Sequence, residues 1–387
     1  MKKQIMIGCI LGGMAACTAP SDGYRLTGHI EGAGNGKAVL IRNTETEMPV
    51  NGDTVEMQAG KFIFTGKFAT PGRVSLQVCP ENEQPANLGF FAENAQIRVN
   101  GNWKDVKEQY GYRFIENVKI DGSRNNEVYE EITAVYQQLL KAPEHKIYAQ
   151  LQDKLAELRQ SDADAYYKLQ NETEKLAEEF NRAVRQRQLE LIRENKSVES
   201  VASCLRFLWN DMTLDELRQI YQVLDTNVQH SPLAAELREE LAIREKVKPG
   251  MPAPDFSLET PDGSCLALSD LKGKYVVLDF WASWCKPCRA SFPEMKKIYE
   301  RYKDKGLEIL GVTNDSRKQD WLKALEQDQL PWKQVIDEYP IKNEPAKIAT
   351  LYAIPYLPTL ILIGPDGKVI GQAKDKHQLV EWLEERL

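Results

Sequence analysis

The residues with the clearest chemical potential are two cysteines, Cys285 and Cys288, separated only by Lys286 and Pro287. They follow an apolar, β-branched run that begins Val276-Val277-Leu278, the pattern of a buried strand. After them Arg289, Ala290, Glu294, Met295, Lys296 and Lys297 continue as a helix. A Cys-x-x-Cys at such a junction puts its first sulfur at a helix N-terminus, where the dipole and unpaired N–H groups favour thiolate over thiol. Lys286 adds a positive charge beside it. Pro287 suits the first helical turn, where no N–H is required, whereas Pro293 lies far enough inside to kink the helix. A zinc site would need about four ligands, but no second cysteine pair exists and His29, His145, His230 and His377 are remote in sequence. A structural disulfide seldom closes so short a loop at a helix start. The pair therefore reads as a redox couple cycling between dithiol and disulfide, with Cys285 exposed and acidic for a thiol and Cys288 buried. Cys79, Cys204 and Cys265 are single and widely spread, and read as small core residues.

In its full context, DFWASWCKPC (Asp279–Cys288), the pair resembles the active-site segment of the thioredoxin superfamily. Three further stretches resemble the TlpA/ResA-like membrane-associated thiol–disulfide oxidoreductases. PGMPAPDFSLETPDG (Pro249–Gly263) is similar to that family's entry segment, LEILGVTNDS (Leu307–Ser316) to its next strand, and YAIPYLPTLILIGPDGKVI (Tyr352–Ile370) to its cis-proline strand and hairpin. The resemblance covers about residues 247–387.

The resemblance implies roles for residues outside the pair. Asp279 matches a buried acid that exchanges protons with the inner cysteine, whose pKa burial would raise toward working pH. Many TlpA-like chains carry Asn there, while ResA-like members place a Glu three residues after the second cysteine; here that position is Ser291. Trp281 and Trp284 match aromatics flanking the site and read mainly as packing, with Trp284 also at the substrate edge. Leu357 and Pro358 match the cis-proline loop, where the backbone pairs with an extended substrate segment. Lys286 and Pro287 tune the couple. Strong oxidants of the superfamily carry His between the cysteines, so its absence implies a reductant. No metal and no cofactor beyond the Cys285–Cys288 disulfide is implied, and with no dinucleotide fingerprint the electrons must come from a membrane thiol donor. A peroxiredoxin, which shares the entry segment, would need Thr or Ser where Ala282 stands. The alternative from another class is an envelope interaction protein whose N-terminal regions bind a partner that the redox domain services.

At 387 residues the chain has room for two or three domains, and its net charge of −7 argues against nucleic acid as a partner. Met1-Lys2-Lys3, the apolar Ile5–Ala16 and Ala15-Ala16-Cys17 read as a bacterial lipoprotein signal over residues 1–17, with Met14 where the lipobox usually has Leu. Cys17 would be acylated, each buried CH₂ contributing about 0.8 kcal/mol of anchoring, and Cys9 would leave with the signal. Ordinary signal cleavage is the alternative. Thr18–Gly23 is a short tether. The expected location is the cell envelope, lipid-anchored and facing the periplasm, with envelope-protein disulfides as substrates.

Stepping outward, residues 24–122 carry short strand-like runs bounded by Gly, Asn and Pro: YRLTGHIEG, KAVLIRN, GKFIFTGKF, RVSLQVC, LGFFAE and AQIRVNG. They predict a small sandwich or barrel, and they resemble a poorly characterised β domain found ahead of thioredoxin domains in some Gram-negative envelope lipoproteins. Gly32–Gly36 lies between two strands rather than before a helix, so it reads as a hairpin turn and not a nucleotide loop. Residues 125–246 read as helical. Leu169, Leu176, Phe180, Val184 and Leu191 form a stripe over Tyr167–Asn195 that Gln188 interrupts. Thr213 and Glu216 predict a capping box, and Ser231-Pro232 an N-cap with proline at the first helical position. Residues 247–387 follow βαβ logic. The expected elements are a hairpin at Phe256–Leu268, the strand before the cysteines, helix 285–303, strand Leu307–Thr313, helix Arg317–Gln327, helix Pro345–Tyr352, strands Leu360–Ile363 and Val369–Gln372, and helix Gln378–Arg386. Together they predict a central mixed α/β sheet with helices on both faces.

Overall fold

A computed structural model describes residues 22–42, 52–337 and 346–387. The signal segment with Cys17, most of the tether, and the expected helix start at Pro345 lie outside the described residues. The chain divides into two compact units. One holds the described residues up to Cys204 together with Leu224–Leu233, and the other holds Leu205–Val223 and Ala234–Leu387.

The first unit opens with ten strands: β1 (Tyr24–Glu31), β2 (Gly36–Arg42), β3 (Asp53–Met57), β4 (Lys61–Gly66), β5 (Gly72–Pro80), β6 (Ala86–Ala92), β7 (Gln96–Asn102), β8 (Val106–Gln109), β9 (Tyr112–Ile115) and β10 (Lys119–Asp121). They form a four-stranded sheet, β10-β7-β1-β4, and a six-stranded sheet, β3-β2-β5-β6-β9-β8. Alternating residues from both, among them Leu26, Ile30, Leu40, Phe64, Leu76 and Val99, meet in one apolar core, so the region is a sandwich. The Gly32–Gly36 loop is not a hairpin. β1 pairs with β4 and β7 while β2 pairs with β3 and β5, so the loop hands the chain from one sheet to the other. β3, β8, β9 and β10 escape the sequence reading because three to five residues are too few for an alternation to register.

Eight helices follow: α1 (Arg124–Leu140), α2 (Lys146–Ser161), α3 (Ala163–Glu172), α4 (Glu174–Glu194), α5 (Ser200–Arg206), α6 (Leu214–Val223), α7 (Thr226–Gln229) and α8 (Ala235–Lys246). Helices α1–α4 and α7 fall in the first unit, α6 and α8 in the second. The stripe on α4 buries Phe180, Val184 and Leu191. Gln188 interrupts it because its amide donates to the Ile132 carbonyl of α1 (3.1 Å). The expected continuous helix from Tyr167 is broken at Thr173, whose hydroxyl turns back onto the Leu169 carbonyl (2.6 Å). The Thr213–Glu216 capping box is present, with both reciprocal bonds made. The Ser231 hydroxyl donates to the Val228 carbonyl (2.9 Å), and Pro232 takes the first position of a short 3₁₀ turn before α8.

The C-terminal domain contributes β11 (Ser257–Glu259), β12 (Cys265–Ala267), β13 (Tyr275–Trp281), α9 (Lys286–Tyr302), β14 (Leu307–Thr313), α10 (Lys318–Asp328), β15 (Lys333–Ile336), α11 (Lys347–Leu351), β16 (Thr359–Ile363), β17 (Val369–Ala373) and α12 (Lys376–Glu384). Its seven-stranded sheet runs β12-β11-β15-β14-β13-β16-β17. β13 lies between β14, to which it is parallel, and antiparallel β16. The helices on the two faces cover two apolar clusters, giving the expected thioredoxin-like architecture. β15 was not expected, since Lys333 and Gln334 leave only Val335-Ile336 as its apolar signal. Cys265 is exposed on the edge strand β12 rather than in the core, whereas Cys204 is buried.

Candidate active site

β13 is buried over six of its seven residues, as its β-branched and aromatic sequence predicts. Side chains alternate across it. Val277 and Trp281 belong to one cluster, which also holds Cys285 and Cys288; Val276, Leu278 and Phe280 belong to the other. Asp279 falls on the face of Val277 and Trp281, so the strand aims its carboxyl at the side that carries the cysteines.

The chain leaves β13 through a tight loop in which the Cys285 N–H donates to the Ala282 carbonyl (3.0 Å). Cys285 caps α9, and its sulfur accepts the Cys288 N–H (3.2 Å). Pro287 sits in the first turn, where it costs no hydrogen bond. The two cysteines form a disulfide with Cα atoms 5.3 Å apart. The expectation that Cys285 is exposed needs correction for this oxidised state: it keeps 5% of its surface and Cys288 none. The bond holds the Cys285 sulfur against fully buried Cys288.

Asp279 is 2% exposed, and its Oδ2 has no hydrogen-bond partner among the described residues. Loss of water around it pushes its pKa up to about 7. A solvent-facing strand end is thereby excluded. Ser291 supplies no acid, and its hydroxyl donates to the Cys288 carbonyl (2.7 Å).

The two tryptophans part company. Trp281 is buried, packs edge-to-face on Phe292 (5.2 Å between ring centres) and donates its indole N–H to Gln334 Oε1 (3.0 Å). Gly311 makes room for that amide, since a Cβ there would lie 2.2 Å from Gln334 Oε1. Trp284, read from sequence mainly as packing, is instead 66% exposed, because it stands beyond the strand end on the loop next to Cys285. Lys286 and Pro287 are exposed as well.

The Leu357–Pro358 peptide is cis, as the resemblance implied. Half-buried Leu357 packs against both clusters of the domain, one of which holds the cysteines. The Thr359 hydroxyl donates to the Tyr356 carbonyl (2.7 Å) and holds the turn.

Sequence reasoning missed several residues that brace the site. Asp315, just past β14, accepts from the Ser283 N–H (2.9 Å), the Ser283 hydroxyl (2.6 Å) and the Thr313 hydroxyl (2.6 Å). Asp337, just past β15, accepts from the Ile348 and Ala349 N–H groups (2.8 and 3.0 Å) at the start of α11, the helix that leads into the cis-proline loop. Arg289 on α9 makes a two-pronged pair with Asp328 at the end of α10 (2.8 and 3.0 Å). For Asp315 and Asp337 the available signal was a polar residue within two positions of an apolar strand's end, a place where strand ends face a crevice.

A family model described as the AhpC/TSA family matches residues 249–372, and one described as a domain of unknown function (DUF4369) matches residues 24–129. Thiol-disulfide oxidoreductase ResA of Bacillus thuringiensis (strain Al Hakam) is 35% identical over 150 residues, covering 37% of this chain and 80% of the relative. The protein of the same name from Bacillus subtilis (strain 168) is 35% identical over 127 residues, covering 33% of this chain and 68% of the relative. Among solved structures, the thioredoxin domain of a thiol-disulfide oxidoreductase from Bacteroides vulgatus is 35% identical, with coverage of 36% of this chain and 96% of that one and a TM-score of 0.33.

Proposed function

The chain belongs, through its C-terminal domain, to the ResA-like thiol–disulfide oxidoreductases, and from that premise we propose that it is a lipid-anchored reductase of protein disulfides in the cell envelope. The observation that carries the reading is the Cys285–Cys288 disulfide at the start of α9, on the same face of the sheet as Asp279, whose Oδ2 has no partner among the described residues. In the reduced state the α9 N-terminus favours the Cys285 thiolate. That thiolate attacks a substrate disulfide, forming a mixed disulfide and expelling one substrate thiolate. Cys288, deprotonated by Asp279, attacks the Cys285 sulfur; the internal disulfide forms and the second substrate thiolate leaves. Two electrons pass to the substrate, and a membrane dithiol donor restores the pair. Trp284 is the exposed neighbour of Cys285 in the chain, and an extended substrate segment lies along the backbone of the cis Leu357–Pro358 loop. Lys286 and Pro287 tune the couple, and the lack of His between the cysteines supports the reducing direction.

With a dithiol as electron source, the full chain should accelerate insulin disulfide reduction and Cys285→Ser should not. Equal rates for the two would reject the reading. The anchor is a separate matter, tested by mass analysis of the mature N-terminus. An acylated Cys17 is expected, and a free N-terminus at another residue on a secreted protein would leave export without anchoring.

A further inference from the structure

The loop that presents Cys285 is tied to a buried negative charge. Asp315 is 3% exposed. Its carboxylate takes three donors, two of them from Ser283, and no Lys or Arg among the described residues pairs with it. Ser283 and Cys285 are two residues apart, so their Cα atoms lie within about 7 Å. The other charged groups around the pair are otherwise engaged or lie on the helix itself. Arg289 is held by Asp328, Arg317 by Asp320 and Lys318 by Glu259. Asp337 faces the α11 N–H groups, Asp279 lies on β13 below the pair, and Lys286 opens α9.

We infer that Asp315 is a positioning residue for Cys285 that also sets its acidity: the carboxylate fixes the loop through Ser283 and opposes the thiolate, keeping the couple reducing. This rests on the assignment of Cys285 as the nucleophile proposed above. A fixed negative charge raises the free energy of the thiolate and leaves the neutral disulfide unaffected. It therefore works against the α9 N-terminus and Lys286, both of which lower the thiol pKa. A reduced state with a less stable thiolate gives up its electrons more readily. At an effective dielectric of about 20, unit charges on the order of 10 Å apart interact by roughly 1–2 kcal/mol, on the order of one pKa unit.

The test uses the reduced full chain. The Cys285 thiol pKa is read from the pH dependence of alkylation, mapped residue by residue by mass spectrometry, and the couple is equilibrated with glutathione. Asp315→Asn removes the charge and keeps an acceptor for Ser283. It should lower the Cys285 pKa by about one unit and move the glutathione equilibrium toward the dithiol, approaching about tenfold at pH above both pKa values. Ser283→Ala leaves the charge and removes a donor from it, so the pKa should stay or rise. An unchanged or raised pKa in Asp315→Asn overturns the inference. So does an equal fall in both variants, which would mean only that the loop had loosened. If Asp315→Asn does not fold, Ser283→Ala decides: a lowered pKa contradicts the inference, and an unchanged or raised one supports it. First labelling at Cys288 in the wild type overturns the nucleophile assignment, and this inference with it, before any variant is read.

Discussion

The N-terminal sandwich and the C-terminal redox domain bury their cores by different rules. Among the described residues of the sandwich, from Tyr24 to Asp121, no Asp, Glu, Asn, Gln, Ser or Thr is buried. The redox domain buries Asp279, Glu308, Thr313, Asn314, Asp315, Gln334, Asp337 and Thr359, four of them acids. An interior polar group is costly unless it is paired. Glu308 accepts from Tyr299 (3.1 Å), Asp315 from Ser283 and Thr313, and Asp337 from the α11 backbone. Asp279 alone of the four has a carboxyl oxygen without a partner. A group held at such cost beside a redox pair is what acid–base work requires, and nothing comparable lies in the sandwich. The sandwich is built for stability, and the redox domain gives up stability around one strand end to do chemistry.

The sharpest way to break this contrast is to remove the unpaired acid. The unfolded Asp279 carboxyl titrates near 3.8 and the folded one near 7. Between those values the native state holds a proton that the unfolded chain has lost, so stability falls as pH rises through the window and the loss is complete above about pH 7. A shift of this size corresponds to on the order of 4 kcal/mol. Asp279→Asn should flatten that pH dependence and raise the stability of the redox domain at about pH 8, measured by urea unfolding of the oxidised chain between about pH 4 and 8. It should also slow resolution of the mixed disulfide, by no more than about 10²-fold, the low end for general acid–base catalysis. An unchanged slope of stability with pH would return Asp279 to the status of a strand residue.

A smaller effect tests the other half. Leu76 lies in the centre of the sandwich core, on β5. Leu76→Ala should destabilise the first unit by roughly 3 kcal/mol and leave insulin reduction per folded molecule unchanged. A loss of turnover at full occupancy of the folded state would mean that the sandwich takes part in the reaction.

What the sequence disclosed follows the same division. The redox pair, Asp279 and the cis-proline loop sit in contiguous motifs, and the chemistry of each depends on its immediate neighbours. Asp315, Gln334 and Asp337 matter only because β14 pairs with β13 and β15 with β14, an order that no local pattern announces. The same limit explains Gly32–Gly36: glycine marked a turn, but whether that turn closes a hairpin or crosses between sheets depends on which strands pair. Trp284 and Cys265 went wrong for a related reason. Residue type predicts average burial, while a loop tip and an edge strand place these side chains outside.

Trapping a reaction intermediate bears most directly on the division of labour between the two cysteines. Removing the resolving thiol by Cys288→Ala leaves the attack of Cys285 intact, so a mixed disulfide with the substrate should accumulate and map to Cys285. The Cys285→Ala variant, with Cys288 buried beneath the helix start, should trap none. Equal trapping by the two variants, or a substrate linked through Cys265, would contradict the account.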